Sequence, residues 1–107
     1  MASIDFQNIA KTWLPDAKLW VRRSSSAMDD EILQTTEAAL WDLKMAGVKK
    51  FAPTDTLLKQ AAKLYLKAQF GYSDDSQKYE VAYEHLKAAM SLCGDYTQED
   101  AGGAEGG

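Results

Sequence analysis

The sequence predicts an all-α fold, a small bundle of four to five short helices followed by a disordered, acidic, glycine-rich C-terminal tail. Apolar residues recur at three- and four-residue spacing through most of the chain, as a helix with one buried face requires. No stretch combines strict apolar–polar alternation with β-branched enrichment, so no strand is expected. The punctuating residues, Pro15, the serines 24 to 26, Gly47, Pro53, Gly71 and Gly94, fall between the periodic segments.

The first helix is expected to use Ser3 as its N-cap, to carry Phe6, Ile9, Ala10 and Trp13 on one face, and to stop at Pro15, which has no N–H to donate. A shorter second turn over residues 16–22 presents Leu19, Trp20 and Val21 before the serines break the pattern. Ser26-Ala27-Met28-Asp29 has the spacing of a capping box, and Asp29, Asp30 and Glu31 place negative charge at the positive end of the next helix. That helix carries Ile32, Leu33, Thr36, Leu40 and Leu43 on one face. It ends at Ala46-Gly47, where glycine takes the left-handed conformation and Val48 closes the cap.

Lys49 and Lys50 read as solvated linker. Thr54 or Asp55, after Pro53, caps a third helix that buries Leu58, Ala61, Ala62, Tyr65 and Ala68 and terminates at Gly71. Lys59, Lys63 and Lys67 form a separate row on it, which reads as the solvated side of the helix. The fourth helix begins near residues 73–75, carries Tyr79, Ala82, Tyr83, Leu86, Met90 and Cys93 as its buried stripe, and ends at Gly94. Residues 98–107 hold no apolar side chain larger than alanine and cannot offset their own ordering entropy. The expected organisation is therefore one helical domain over residues 1–96 and a disordered tail over 97–107.

A chain of 107 residues has room for one core. Its formal charge of -4 lies at the C-terminus. Asp95, Glu99, Asp100 and Glu105 occupy a final segment without Lys or Arg, and the remaining acids balance the bases. A neutral body disfavours a strongly basic nucleic-acid binder. The single Cys93 can form no internal disulfide, and no apolar run approaches the roughly 18 residues of a membrane span. With no signal-peptide pattern at the start either, a soluble intracellular product without a membrane partner is expected.

Catalytic, cofactor and metal chemistry have no sequence support, and no enzyme is expected. His85 has no second histidine and lies beside the fourth helix's apolar stripe, as a surface histidine would. Cys93 lies near a helix C-terminus, where the dipole opposes thiolate formation. Asp29, Asp30 and Glu31 are consecutive, so their side chains diverge by about 100° per residue and do not converge on one cation. No glycine-rich phosphate loop accompanies the serines. A helix-turn-helix reading fails because the helix after the serine turn opens with three acids that would repel the DNA backbone.

What stands out is large apolar content beyond a minimal core. Trp41 and Met45, at i and i+4, form a ledge to one side of the second helix's main stripe, and Trp13, Trp20, Phe51, Phe70 and Tyr72 add bulk near helix ends. A small domain leaves much of its surface uncovered, so some of these residues are candidates for burial by another subunit, with burial in a broad core as the equal alternative for Trp41.

Two stretches resemble a known family. Trp20-Val21-Arg22-Arg23-Ser24-Ser25-Ser26-Ala27-Met28-Asp29-Asp30-Glu31-Ile32, followed by Ala38-Ala39-Leu40-Trp41-Asp42-Leu43-Lys44-Met45-Ala46-Gly47-Val48, resembles the first half of the tailed-bacteriophage head-tail connector (adaptor, or DNA-packaging) proteins. Ala62-Lys63-Leu64-Tyr65-Leu66-Lys67-Ala68-Gln69-Phe70-Gly71-Tyr72, with Tyr79, Tyr83, Leu86 and Ser91-Leu92-Cys93-Gly94-Asp95-Tyr96, is similar to that family's helix, aromatic turn and closing helix. The resemblance covers residues 17 to 96 and is an extended pattern, not a catalytic signature. The first helix and the acidic tail lie outside it.

The resemblance implies a non-enzymatic virion protein at the head-tail interface, present in the host cytoplasm during assembly. It implies a ring, expected to be dodecameric, beneath the portal protein, touching the next head-completion or tail protein and passing DNA without sequence recognition. Candidate subunit or portal contacts are the Trp41/Met45 ledge, the turn of Phe70 and Tyr72, and pairing of Lys59, Lys63 and Lys67 with Asp29, Asp30 and Glu31 of a neighbour. The alternative is a small helical nucleic-acid-binding packaging factor of the small-terminase kind.

Overall fold

The computed structural model describes residues 5–22, 25–70 and 75–97, and among them the fold is all-α. Four helices, α1 (Phe6–Trp20), α2 (Asp29–Met45), α3 (Thr56–Phe70) and α4 (Asp75–Ser91), are followed by a single-turn α5 (Gly94–Thr97). A 3₁₀ turn, Ser26–Met28, precedes α2. No helix among the described residues is long and apolar enough to cross a membrane. The expected tail lies outside the described residues except for Thr97, which closes α5.

The helices run up, down, up and down. Phe6 meets Trp41 while Lys18 meets Asp29, so α1 and α2 are antiparallel. Tyr65 stacks edgewise on Tyr83 and the Lys67 ammonium lies over Tyr79, which sets α3 against α4 in the same antiparallel sense. Leu40 and Leu43 share a cluster with Leu58, Ala61 and Ala62, whereas Ile32 shares the other with Leu66, so α2 and α3 are antiparallel as well. It follows that α2 and α4 run in the same direction.

The larger cluster also takes Phe6, Ile9, Trp13, Val48, Tyr83 and Met90, with Leu64, Leu86 and Tyr96 at its margin. The smaller one joins Ala17 and Val21 to Ile32 and Leu66. The Trp13 indole N–H donates to the Pro53 carbonyl at 2.9 Å, so its polar atom is satisfied within the core.

Several local expectations are corrected. Asp5, not Ser3, caps α1: its side chain accepts from the Asn8 N–H at 3.0 Å. Ser3 itself lies outside the described residues. Pro15 does not stop the helix, which continues to Trp20 and absorbs the expected second turn. Lys11 and Pro15 both face solvent, where water can satisfy the carbonyl that proline cannot serve, and burial of Ala17 and Val21 holds the extra turns in place. Of the trio expected beyond Pro15, Val21 is buried, Trp20 is half-buried and Leu19 faces solvent. The capping box is displaced by one residue: Ser25 accepts from the Ala27 N–H and caps the 3₁₀ turn, and α2 starts behind it without a side-chain cap.

The end of α2 is as the sequence predicts. Gly47 has φ +115°, the Val48 N–H donates to the Leu43 carbonyl and the Gly47 N–H to the Lys44 carbonyl, both at 3.1 Å. Those two bonds and the burial of Leu43 and Val48 make a Schellman cap. Lys49 and Lys50 are not a free linker, because both backbone N–H groups donate to the Tyr96 carbonyl, at 2.6 and 3.3 Å. Of the two expected caps of α3, Thr54 and Asp55, it is Asp55 that serves: it accepts from the Leu58 N–H at 3.0 Å and from the Tyr96 hydroxyl at 2.9 Å. In α3, Leu66 is buried where the expected stripe named Tyr65 and Ala68, which are half-buried. Of the expected α4 stripe, Tyr83 and Met90 are buried and Tyr79, Ala82 and Leu86 half-buried, while Cys93 falls beyond the helix, which stops at Ser91, and Gly94 opens α5 instead of ending α4. Gly71, the expected terminator of α3, lies outside the described residues.

Candidate functional site

Two kinds of feature could carry function: polar groups gathered between helices and apolar side chains left in water. The main polar network ties α4 to α2. The Tyr83 hydroxyl donates to Asp42 Oδ2 at 2.6 Å and the Lys87 ammonium donates to the same oxygen at 2.9 Å, while Glu84 flanks Lys87 at 3.1 Å. Burial opposes the Asp42 charge, but Tyr83 and Lys87 outweigh it and hold the carboxyl below its ordinary value. Burial and the adjacent carboxylate push the Tyr83 phenol far up, so it stays a donor at all physiological pH. Burial opposes the Lys87 charge too, yet Asp42 and Glu84 keep it protonated. These hydrogen bonds and ion pairs fasten α4 to α2.

The residues with possible chemistry are dispersed. His85 is exposed and Cys93 half-buried beyond the end of α4. Among the described residues no three His, Cys, Asp or Glu side chains gather closely enough to hold a metal ion.

Three of the six charged contact candidates are engaged within the chain. Lys59 reaches Asp16 at 2.6 Å and lies 6.0 Å from the Trp20 ring, and Lys67 lies 5.2 Å from the Tyr79 ring. Lys63 is half-buried. Asp29 pairs with Lys18 at 3.0 Å, whereas Asp30 and Glu31 face solvent. Phe70 is half-buried against the smaller cluster, and Tyr72 lies outside the described residues.

Trp41 and Met45 stand out by contrast. They are 52% and 78% exposed at the centre of the outward face of α2, in line with Gln34 and Ala38. Trp41 makes an edge-on contact with Phe6 of its own protomer, ring centroids 5.0 Å apart. A second apolar patch, which the sequence reasoning missed, lies on the outward face of α4 and the turn beyond it: Val81 on the helix and Leu92 just past its end are 50% and 87% exposed, with exposed His85, Ala88 and Ala89 between them. Val81, His85, Ala88 and Leu92 recur at i, i+4, i+7 and i+11, so the signal was present in the sequence opposite the stronger buried stripe. Comparison with protein-family models, with curated proteins and with solved structures finds no significant match to this chain.

Proposed function

We propose that this chain is a structural head-tail connector of a tailed bacteriophage. In this reading it is a non-enzymatic virion protein that assembles as a ring, expected to be dodecameric, beneath the portal. It then contacts the next head-completion or tail protein and lets DNA pass without reading its sequence. The observation that carries the reading is the pair Trp41 and Met45 at the centre of the outward face of α2. An indole beside an exposed thioether is apolar surface that the protomer leaves uncovered, and such surface on a small domain marks a protein contact more often than a reaction centre. The extended resemblance over residues 17 to 96 names the assembly.

Charge supports the same reading. A neutral body offers DNA few phosphate contacts, which suits a conduit through which a duplex must slide. Of the lysine row that a nucleic-acid-binding packaging factor would use, Lys59 and Lys67 are engaged within the protomer. The test is light scattering of the purified protein with and without portal, together with negative-stain imaging. Rings, or monomers that join a portal, are the expected result; tight, salt-sensitive DNA binding with neither would overturn the proposal.

A further inference from the structure

We infer that the outer face of α3, with the start of α4, is the surface that meets passing DNA, through Lys63, Lys67 and Lys78. This rests on the connector reading, which supplies the duplex, and names the cations that touch its phosphates. Elsewhere in the bundle, packed lysines have a carboxylate of their own: Lys18 has Asp29, Lys50 has Asp55, Lys59 has Asp16 and Lys87 has Asp42. On α3 that pattern breaks. Lys63 and Lys67 are half-buried, and neither has an acid partner among the described residues. Lys67 lies 5.2 Å from the centre of the Tyr79 ring, and the exposed Lys78 lies 5.7 Å from the same ring. An aromatic face attracts an ammonium through its quadrupole but does not cancel its charge, so the ring holds two like charges side by side. The cations form one strip. Lys59 leans toward α1, onto Asp16, and Lys67 toward α4, onto Tyr79, while Lys63 lies between them, one helical turn or about 6 Å of rise from each.

The surrounding acids leave this strip positive. Asp75, exposed and three residues before Lys78, shares its side of α4 and is counted against it. Glu80 lies across the helix: it is four residues before Glu84, whose carboxylate pairs with Lys87 on the side that reaches Asp42 of α2. Asp16 is taken by Lys59. Asp30 and Glu31 face outward from α2, across the buried clusters from the outer face of α3. Lys63, Lys67 and Lys78 thus stand against Asp75 alone, on a chain whose formal charge is -4. The strip includes none of the exposed large apolar side chains, which a protein interface would set among its charges, whereas phosphates need only the cations. Contacts of this kind carry no sequence information, and so few per subunit let a duplex slide.

The test is fluorescence anisotropy of a labelled, random-sequence duplex of about 20 base pairs, titrated with the full chain. Phosphate contacts from the three strip lysines of one protomer predict an affinity that falls about 40-fold between about 50 and about 200 mM salt. Lys67→Gln with Lys78→Gln should reduce that fall to about fourfold. Asp75→Asn, which removes the facing acid and no lysine, should tighten binding about threefold at the lower salt. Lys44→Gln with Lys49→Gln, at exposed lysines beside the end of α2, should leave the salt dependence as it was. No binding at about 50 mM salt, a salt dependence indifferent to the strip lysines, or tighter binding of a poly-glutamate peptide than of the duplex would overturn this assignment while leaving the ring in place. A chain that binds the duplex as expected but forms no ring and joins no portal would remove the connector reading and leave the cationic face standing.

Discussion

Tyr83 shows how much one buried hydroxyl can organise. Its ring fills the core beside Tyr65, and its O–H donates to a carboxylate that also receives Lys87. Tyr83→Phe keeps the ring but leaves Asp42 with one donor fewer, which should cost about 1–3 kcal/mol near neutral pH, because the acceptor is charged. The pH dependence has a definite sign. The Asp42 carboxyl titrates below its ordinary 3.8 in the folded protein, so its contribution is complete above that value and fades as pH falls through the lowered one. Urea unfolding of both proteins at about pH 7 and about pH 2.5 should therefore show a gap that shrinks in acid. Asp55 titrates in the same window but is common to both proteins and cancels. A gap of equal size at both pH values would mean that the hydroxyl acts through packing alone.

At the scale of elements, α1 is the instructive case. Proline inside a helix removes one hydrogen bond and crowds the carbonyl four residues back, yet α1 continues through Pro15 for five residues. The helix survives because its later residues Ala17 and, just beyond it, Val21 bury against Ile32 and Leu66. If that account holds, Pro15→Ala should add stability, by about 1–3 kcal/mol, seen as a higher urea midpoint with an unchanged slope. A lower midpoint would show that α1 needs the proline where it stands.

The same contrast explains what the sequence could and could not disclose. The Gly47 cap and the Asp55 cap depend on residues within one turn and were legible from spacing. The stop at Pro15 was misread because its outcome depends on partners in α2 and α3. The Asp42–Tyr83–Lys87 network joins residues more than forty positions apart, with no periodic trace. The apolar excess of Trp41 and Met45 was legible, but spacing left Trp41 equally suited to a broad core, and only the structure sets both outward; Val81 was hidden behind the stronger inward stripe of its helix, and Leu92 lies just past that helix.

Across the whole molecule, the chain closes on itself through Tyr96. Its carbonyl accepts from Lys49 and Lys50, its hydroxyl donates to Asp55, and its ring borders the larger cluster beneath the Lys50 ammonium. Burial and the Asp55 carboxylate push the Tyr96 phenol up to about 12, so this donor persists through neutral and mildly alkaline solution. One residue thus joins the C-terminal turn, the loop after α2 and the start of α3, closing the corner where the two antiparallel helices connect. A bundle of this size has a net stability of only about 5–15 kcal/mol, so a few hydrogen bonds at such a junction are a sizeable share. A chain ending after Cys93 loses all three bonds and the ring contact, and its unfolding free energy should fall by about 2–4 kcal/mol. A chain ending after Thr97 retains them and should unfold at the wild-type urea midpoint. Equal midpoints for the two truncations would show that α5 rests on the bundle without supporting it, and that the α2–α3 corner is held by the Gly47 and Asp55 caps alone.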